Sequence, residues 1–333
     1  MADRQSGGAA GTRLPLRQDT TRGIGLICTG FAVIAVSDAA VKWALPEVGV
    51  AMAMIWRGAI GMAVIAIFVR GRGLRPRRVP LIATRSALHC CVTVAFYVAW
   101  INGMPLADTY AVNAAAPLLM TLLAIPILGE RVGWRRWIST GVGFAGVLMM
   151  LQPGGELWRW EAGMLLAGVS VLALTRLWMR VLAATDTPGA VAFWLMAAHI
   201  PLGLLILPAF PPPGSFLPSF PVVLALAVVG LANGSAHFLF ARAFAIAPVS
   251  ALAPYEYTTL VWGGALGFLI WTEVPAWTTL AGAAVVISAG LYNLHREGVR
   301  RREAAASDRR RAEGPQAPST AAVNRPRGPQ GQT

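Results

Sequence analysis

Asp38 and Lys42 stand four residues apart in SDAAVKWALP, Ser37 to Pro46, at the end of an apolar run that begins near Gly23. On a helix this spacing puts both side chains on one face, where they can neutralise each other. Arg57 adds a third charge inside the next apolar run. If these runs cross a bilayer, each charge facing lipid costs about 2.5 to 3.5 kcal/mol on insertion scales, so all three should point inward. At 1.5 Å per residue, Asp38 and Arg57 lie at matching depths, roughly 10 and about 12 Å below one membrane face. Two uses follow: a permanent Asp38–Arg57 ion pair with Lys42 reaching the outer surface, or a direct role in binding or gating a substrate.

A second polar group falls nearer the other face. Glu256 and His237 come to similar depth from opposite directions, with Arg242 and Arg176 closer to that surface. Burial raises a carboxyl group's proton affinity and a cationic neighbour lowers it, so Glu256 is a candidate either for loading a proton or for a salt bridge to Arg242 or Arg176. Tyr97, Trp100, Tyr255, Tyr257 and Trp262 surround these positions. Rings of this kind bind cations or other rings in membrane pockets, and Tyr97 and Tyr255 are assigned to a cavity. Trp134, Trp158, Trp160, Trp271 and Trp277, at the ends of apolar runs, fit the membrane interface.

The elements that must carry these groups follow from composition. The chain is 56% hydrophobic and 13% charged, with a mean hydropathy of +0.59, whereas soluble domains are about a quarter charged. Apolar runs of about 20 residues have the length of a bilayer-crossing helix. Ten are predicted, at 23–45, 49–69, 82–103, 107–128, 134–152, 160–181, 188–209, 220–244, 249–271 and 275–294. The fold expected is therefore an all-α polytopic membrane protein, its first run a retained helix rather than a signal peptide.

The formal charge of +13 is not a nucleic-acid signature, because it is distributed by loop. Arginines at 4, 13, 17 and 22 precede the first run, those at 70, 72, 75, 77, 78 and 85 surround the second loop, and 131, 135 and 136 lie in the fourth. The intervening loops hold almost none, Arg159 being the exception. The positive-inside rule then puts both termini in the cytoplasm of a cell whose inner membrane holds the protein. Residues 1–22 form a cytoplasmic segment, and the basic tail 295–333 has too few apolar residues for a core and is expected to be disordered near anionic lipid. Cys28, Cys90 and Cys91 have no ligand-like spacing.

Sliding the sequence by 143 residues aligns Pro105 with Pro248, Glu130 with Glu273 and Trp134 with Trp277. Each unit, 23–152 and 158–294, holds five runs, so the second must enter the membrane from the opposite side, giving two inverted five-helix repeats as in secondary transporters. The shift also lays Glu256 on Asn113, making the paired position polar in both halves and acidic in one. Glu130 and Glu273 should brace the helix starts that follow them. Gly141, Gly143 and Gly146, with Gly263, Gly264 and Gly267, form small-residue faces for close helix packing, or for a homodimer.

These stretches, DAAVKWALP followed by Arg57, ILGERVGW after the fourth run and APYEYTTLVWGGALGFLIWTEVP through the ninth, resemble the EamA branch of the drug/metabolite transporter superfamily over residues 23–295. The resemblance implies ten helices, inward termini and a cavity lined by runs one, three, four, six, eight and nine. Within that branch the Asp38-to-Lys42 stretch and APYEY look similar to uptake-type members for compounds such as S-adenosylmethionine, with uptake and export both left open.

An ATP-binding loop of the Walker type needs Gly-Lys, and the lone lysine, Lys42, follows Val41. The histidines at 89, 199, 237 and 295 lie on separate elements and form no metal or catalytic motif, so no enzyme and no cofactor is expected. The reading is a secondary active transporter of a small organic metabolite, amino-acid-like or an amphiphilic zwitterion, coupled to protons or exchanging solutes. Arg57 would meet a carboxylate, Glu256 an amine, Asn113 a hydrogen-bonding group, with Tyr97 and Tyr255 against the body; Asp38, Lys42, Trp100 and His237 complete the candidates. A scaffold or sensor and a lipid headgroup flippase are the rival classes.

Overall fold

The computed structural model describes residues 19–128, 134–151, 160–214 and 216–312; Glu130, Arg131, Trp158 and Arg159 lie outside them. All regular structure among the described residues is helical. In chain order the helices are α1 (Thr20–Phe68), α2 (Val79–Ile101), α3 (Leu106–Asn113), α4 (Ala116–Leu128), α5 (Trp134–Leu151) and α6 (Trp160–Leu182). Then come α7 (Pro188–Ile206), α8 (Phe220–Ile246), α9 (Val249–Leu252), α10 (Thr258–Trp271) and α11 (Trp277–Ala312), with a 3-10 turn at Ala253–Tyr257 between α9 and α10. By length and composition, α1, α2, α6, α7 and α8 can each cross a membrane.

The first two apolar runs are joined in α1 and broken only at Gly49, whose φ of 68° and ψ of 174° interrupt the helical ladder. A left-handed φ is cheap for glycine alone, and a Cβ there would come within 3.2 Å of the Pro211 carbonyl. The two limbs, 20–48 and 50–68, place Asp38 and Arg57 on different segments of one element.

The fourth and ninth runs are each discontinuous. Pro105 and Pro248, both with extended backbone, precede α3 and α9. The first segment stops at Asn113, and α4 begins with Ala116 and Pro117, where a missing amide is harmless. In the second, Pro254 has no amide to donate, and the chain passes through the 3-10 turn before α10.

The helices of the first half pack chiefly on those of the second: α1 on α8 and α7, α2 on α6 and α7. The expected glycine faces are used unevenly. A Cβ on Gly263 would meet the Tyr110 ring at 1.9 Å and one on Gly146 the Gly282 carbonyl at 2.9 Å, whereas Gly141 and Gly264 face open space.

Residues up to Asn293 and residues from Leu294 form two separate compact units. Helix continues to Ala312, which corrects the expectation of disorder from 295. The segment is rich in Ala, Arg and Glu, strong helix formers that need no core.

Candidate functional site

A cavity of about 90 Å³ is walled by side chains from α1, α2, α3, α6, α8 and α10. Six of the nine candidates line it: Asp38, Arg57, Tyr97, Trp100, Asn113 and His237.

Arg57 is 5% exposed. Its Nη1 donates to the Tyr97 hydroxyl at 3.3 Å and its Nη2 meets His237 Nε2 at 3.2 Å. A guanidinium only donates, so this Nε2 accepts, and a neutral His237 carries its proton on Nδ1. The Nε of Arg57 is buried with no acceptor. No carboxylate is within salt-bridge distance of Arg57 among the described residues, so the Asp38–Arg57 pair is not formed. Asp38 instead accepts from the Tyr110 hydroxyl at 2.7 Å.

Lys42 does not turn back to Asp38 either. Its ammonium pairs with Glu273 and lies over the Trp271 ring at 4.7 Å from the centroid. The second carboxylate oxygen of Glu273 accepts the Leu106 amide at 2.9 Å. Glu273 thus braces the start of α3 rather than that of α11, the helix after it. Lys42 and Glu273 do not line the cavity.

Glu256, 2% exposed, pairs with Arg176 and not with Arg242, whose guanidinium lies over Phe238. Its other oxygen, Oε1, is buried without a partner. Arg176 reaches the cavity wall and Glu256 stays behind it, so Glu256 is not presented to a solute as expected. Tyr255 is half-buried against the cluster containing Phe31 and Phe240 and does not line the cavity. Trp100 does, held by its indole donating to Thr109 at 2.9 Å and by its ring on Tyr97 at 5.9 Å.

Sequence reasoning left three groups out. Histidines on α2, α7 and α8 converge: His89 lies edge-on to His237 at 5.0 Å, and His199 Nε2 meets Thr93 at 3.1 Å. His199 Nδ1 donates to the Leu195 carbonyl at 2.8 Å, so in the neutral ring Nε2 accepts from Thr93. Arg85, counted with the loop arginines, is buried in α2 and donates to the Thr175 carbonyl at 3.0 Å. Tyr110 supplies the hydroxyl on Asp38. A signal existed for the first two: Arg85, His89, Thr93, Tyr97 and Trp100 recur every three or four residues, one polar face of an otherwise apolar helix.

Walls of this kind can hold a small organic solute: aromatic rings for its body, a cation without a counter-ion, and an acid held only by a hydroxyl. No group of three His, Cys, Asp or Glu suited to a metal occurs among the described residues. Residues 21–152 match the EamA-like transporter family. The chain is 26% identical to a riboflavin transporter of Rhizobium johnstonii, over 79% of this chain and 86% of that protein. It is 28% identical to an S-adenosylmethionine uptake transporter of Rickettsia prowazekii, over 60% and 67%. A pseudopaline exporter of Pseudomonas aeruginosa is 26% identical, over 76% and 89%. One solved crystal structure, 18% identical, superimposes with a TM-score of 0.62 over 84% of this chain and 99% of that one, a likeness of fold. With residues 21–152 matching that family and its relatives named as transporters, the chain is similar to EamA-type proteins and is a multi-pass membrane transporter rather than an enzyme.

Proposed function

We propose that this transporter is a secondary active carrier that moves a small zwitterionic metabolite across the inner membrane by alternating access, with both termini in the cytoplasm. The observation that carries the substrate class is Arg57, a buried cation in the cavity wall whose partners are a phenol and a neutral imidazole and whose Nε lacks an acceptor. A solute carboxylate would supply the missing charge and accept from the guanidinium, a charge-assisted bond about twice as strong as a neutral one. Tyr97, Trp100 and Phe31 would flank its body. The named relatives carry S-adenosylmethionine, riboflavin and pseudopaline, and an amino-acid-like solute with a flat or extended body suits these walls best.

Ten crossings in two inverted repeats are supported by where the helices break. Under the 143-residue shift, α3 coincides with 249–256 and α4 with 259–271, so both discontinuities fall at the same place in their units, each opened by a proline in extended conformation. Broken helices beside a midplane site are a recurrent feature of carriers with inverted repeats. Glu256, with one oxygen tied to Arg176 and the other free, is the proton-coupling candidate.

The test is uptake into proteoliposomes of S-adenosyl-L-methionine and the twenty L-amino acids, each radiolabelled. Saturable flux of at least one, abolished by Arg57→Ala in protein that still elutes as a folded species, is expected. Equal flux in the variant would remove Arg57 from the site.

A further inference from the structure

Resting on that reading, we propose that Asp38 and Asn113 form the subsite for the ammonium end of the zwitterion, and that Tyr110 occupies this subsite with its hydroxyl until the solute displaces it. The sequence suggested Glu256 for this part, but Glu256 is already neutralised by Arg176 and is not on the cavity wall. Asp38 is the carboxylate that is. Among the described residues its single hydrogen bond is from Tyr110, a neutral donor, and no cation lies within salt-bridge distance. A carboxylate in a low-dielectric wall gains more from an ammonium than from a phenol.

Asn113, 5% exposed on the same wall, makes no side-chain hydrogen bond among the described residues, and its Oδ1 is buried and unpartnered there. Buried amides are nearly always paired. An unpaired one on the same cavity wall as a half-satisfied acid is what an absent donor would leave. An ammonium has three protons to give, enough for Asp38 and Asn113 with one over. The arrangement also sets the direction of binding. Arg57 and Tyr97 offer donors on the cavity wall, and Asp38 with Asn113 offers acceptors on it, so a zwitterion would meet Arg57 with its carboxylate and Asp38 with its ammonium.

Tyr110 makes the proposal separable from a structural role for Asp38. Its ring packs against Gly263, where a Cβ would be 1.9 Å away, so Tyr110→Phe removes the hydroxyl and keeps the ring. If Asp38 serves only to hold Tyr110, then Asp38→Asn and Tyr110→Phe weaken folding and binding together. If Asp38 is the ammonium ligand, the two act in opposite directions on binding.

The experiment measures dissociation constants for the full chain in detergent, using S-adenosyl-L-methionine and the twenty L-amino acids, each beside the 2-oxo acid that lacks the ammonium. Asp38→Asn should weaken binding of the amino compounds by more than tenfold and leave the 2-oxo acids within about twofold, while Tyr110→Phe strengthens the amino compounds. Amino compounds that bind through Arg57 but are insensitive to Asp38→Asn, or are weakened by both variants, overturn the subsite and leave the carboxylate reading standing. Should no zwitterion bind the unmodified protein, both fall.

Discussion

Glu273 joins Lys42 to the first residue of α3: one carboxylate oxygen pairs with the Lys42 ammonium and the other accepts the Leu106 amide at 2.9 Å. A single side chain after α10 therefore fastens the first limb of α1 to the start of a broken helix. One turn along α1 the Asp38–Tyr110 bond links the same two helices at the cavity wall. The two contacts are stacked, so whatever parts the lower one leaves the upper as the remaining tie between α1 and α3.

Glu273→Gln retains an acceptor for Leu106 and loses the ionic contact. Partial burial puts the expected loss between surface and interior pairs, about 1 to 3 kcal/mol, read as a lower Tm in a thermal-shift assay. Lys42→Met should do the same. The pair is confirmed if the double variant is no worse than the poorer single one, since contacting residues are not additive.

Arg57→Lys tests whether charge alone serves at the cavity. Lysine keeps the charge but not the planar fork that reaches Tyr97 and His237 together. Binding of carboxylate-bearing solutes should weaken more than about tenfold, with Tm changed little, because no fold-holding ion pair is lost. Wild-type affinity in the lysine variant would show that Arg57 acts as a point charge.

The membrane class, the helical runs and six of the cavity side chains were legible because they depend on local composition: a charge in an apolar run stands out whatever the fold around it. Partnership was not legible. Helical spacing made Lys42 the natural neighbour of Asp38, yet tertiary packing brought Glu273 from 231 residues away. Equal depth matched Arg57 with Asp38, but depth says nothing about azimuth, and each group met a tyrosine instead. His89, His199 and His237 lie on three helices, and only the packing of α7 against both α2 and α8 brings those helices together. Arg85 was hidden for a different reason, since an arginine near a loop reads as topology signal until its side chain is seen turned inward onto Thr175.

Gly263→Ala should be among the most damaging single-methyl additions. The new Cβ meets an aromatic ring that cannot give way without dragging its hydroxyl off Asp38. Overpacking of this kind costs about 1 to 3 kcal/mol, and a Tm drop of several degrees is expected together with altered solute affinity. Gly264→Ala, one residue on and facing open space, is the control and should leave both unchanged within error.

Arg176 and Glu256 offer the last and most discriminating case. Arg176→Met strands a buried carboxylate and Glu256→Gln strands a buried guanidinium; removing one partner of such a pair costs about 3 to 5 kcal/mol, while removing both is often neutral. Each single variant should therefore express poorly and melt early, and Arg176→Met with Glu256→Gln should recover the Tm. The rescued protein then separates structure from coupling. If Glu256 only neutralises Arg176, the double variant transports and responds to an imposed pH gradient as the unmodified protein does. If Glu256 carries the proton, exchange of solute between equal pools persists, but the pH gradient no longer drives accumulation, because the remaining amide has no proton to take up and release.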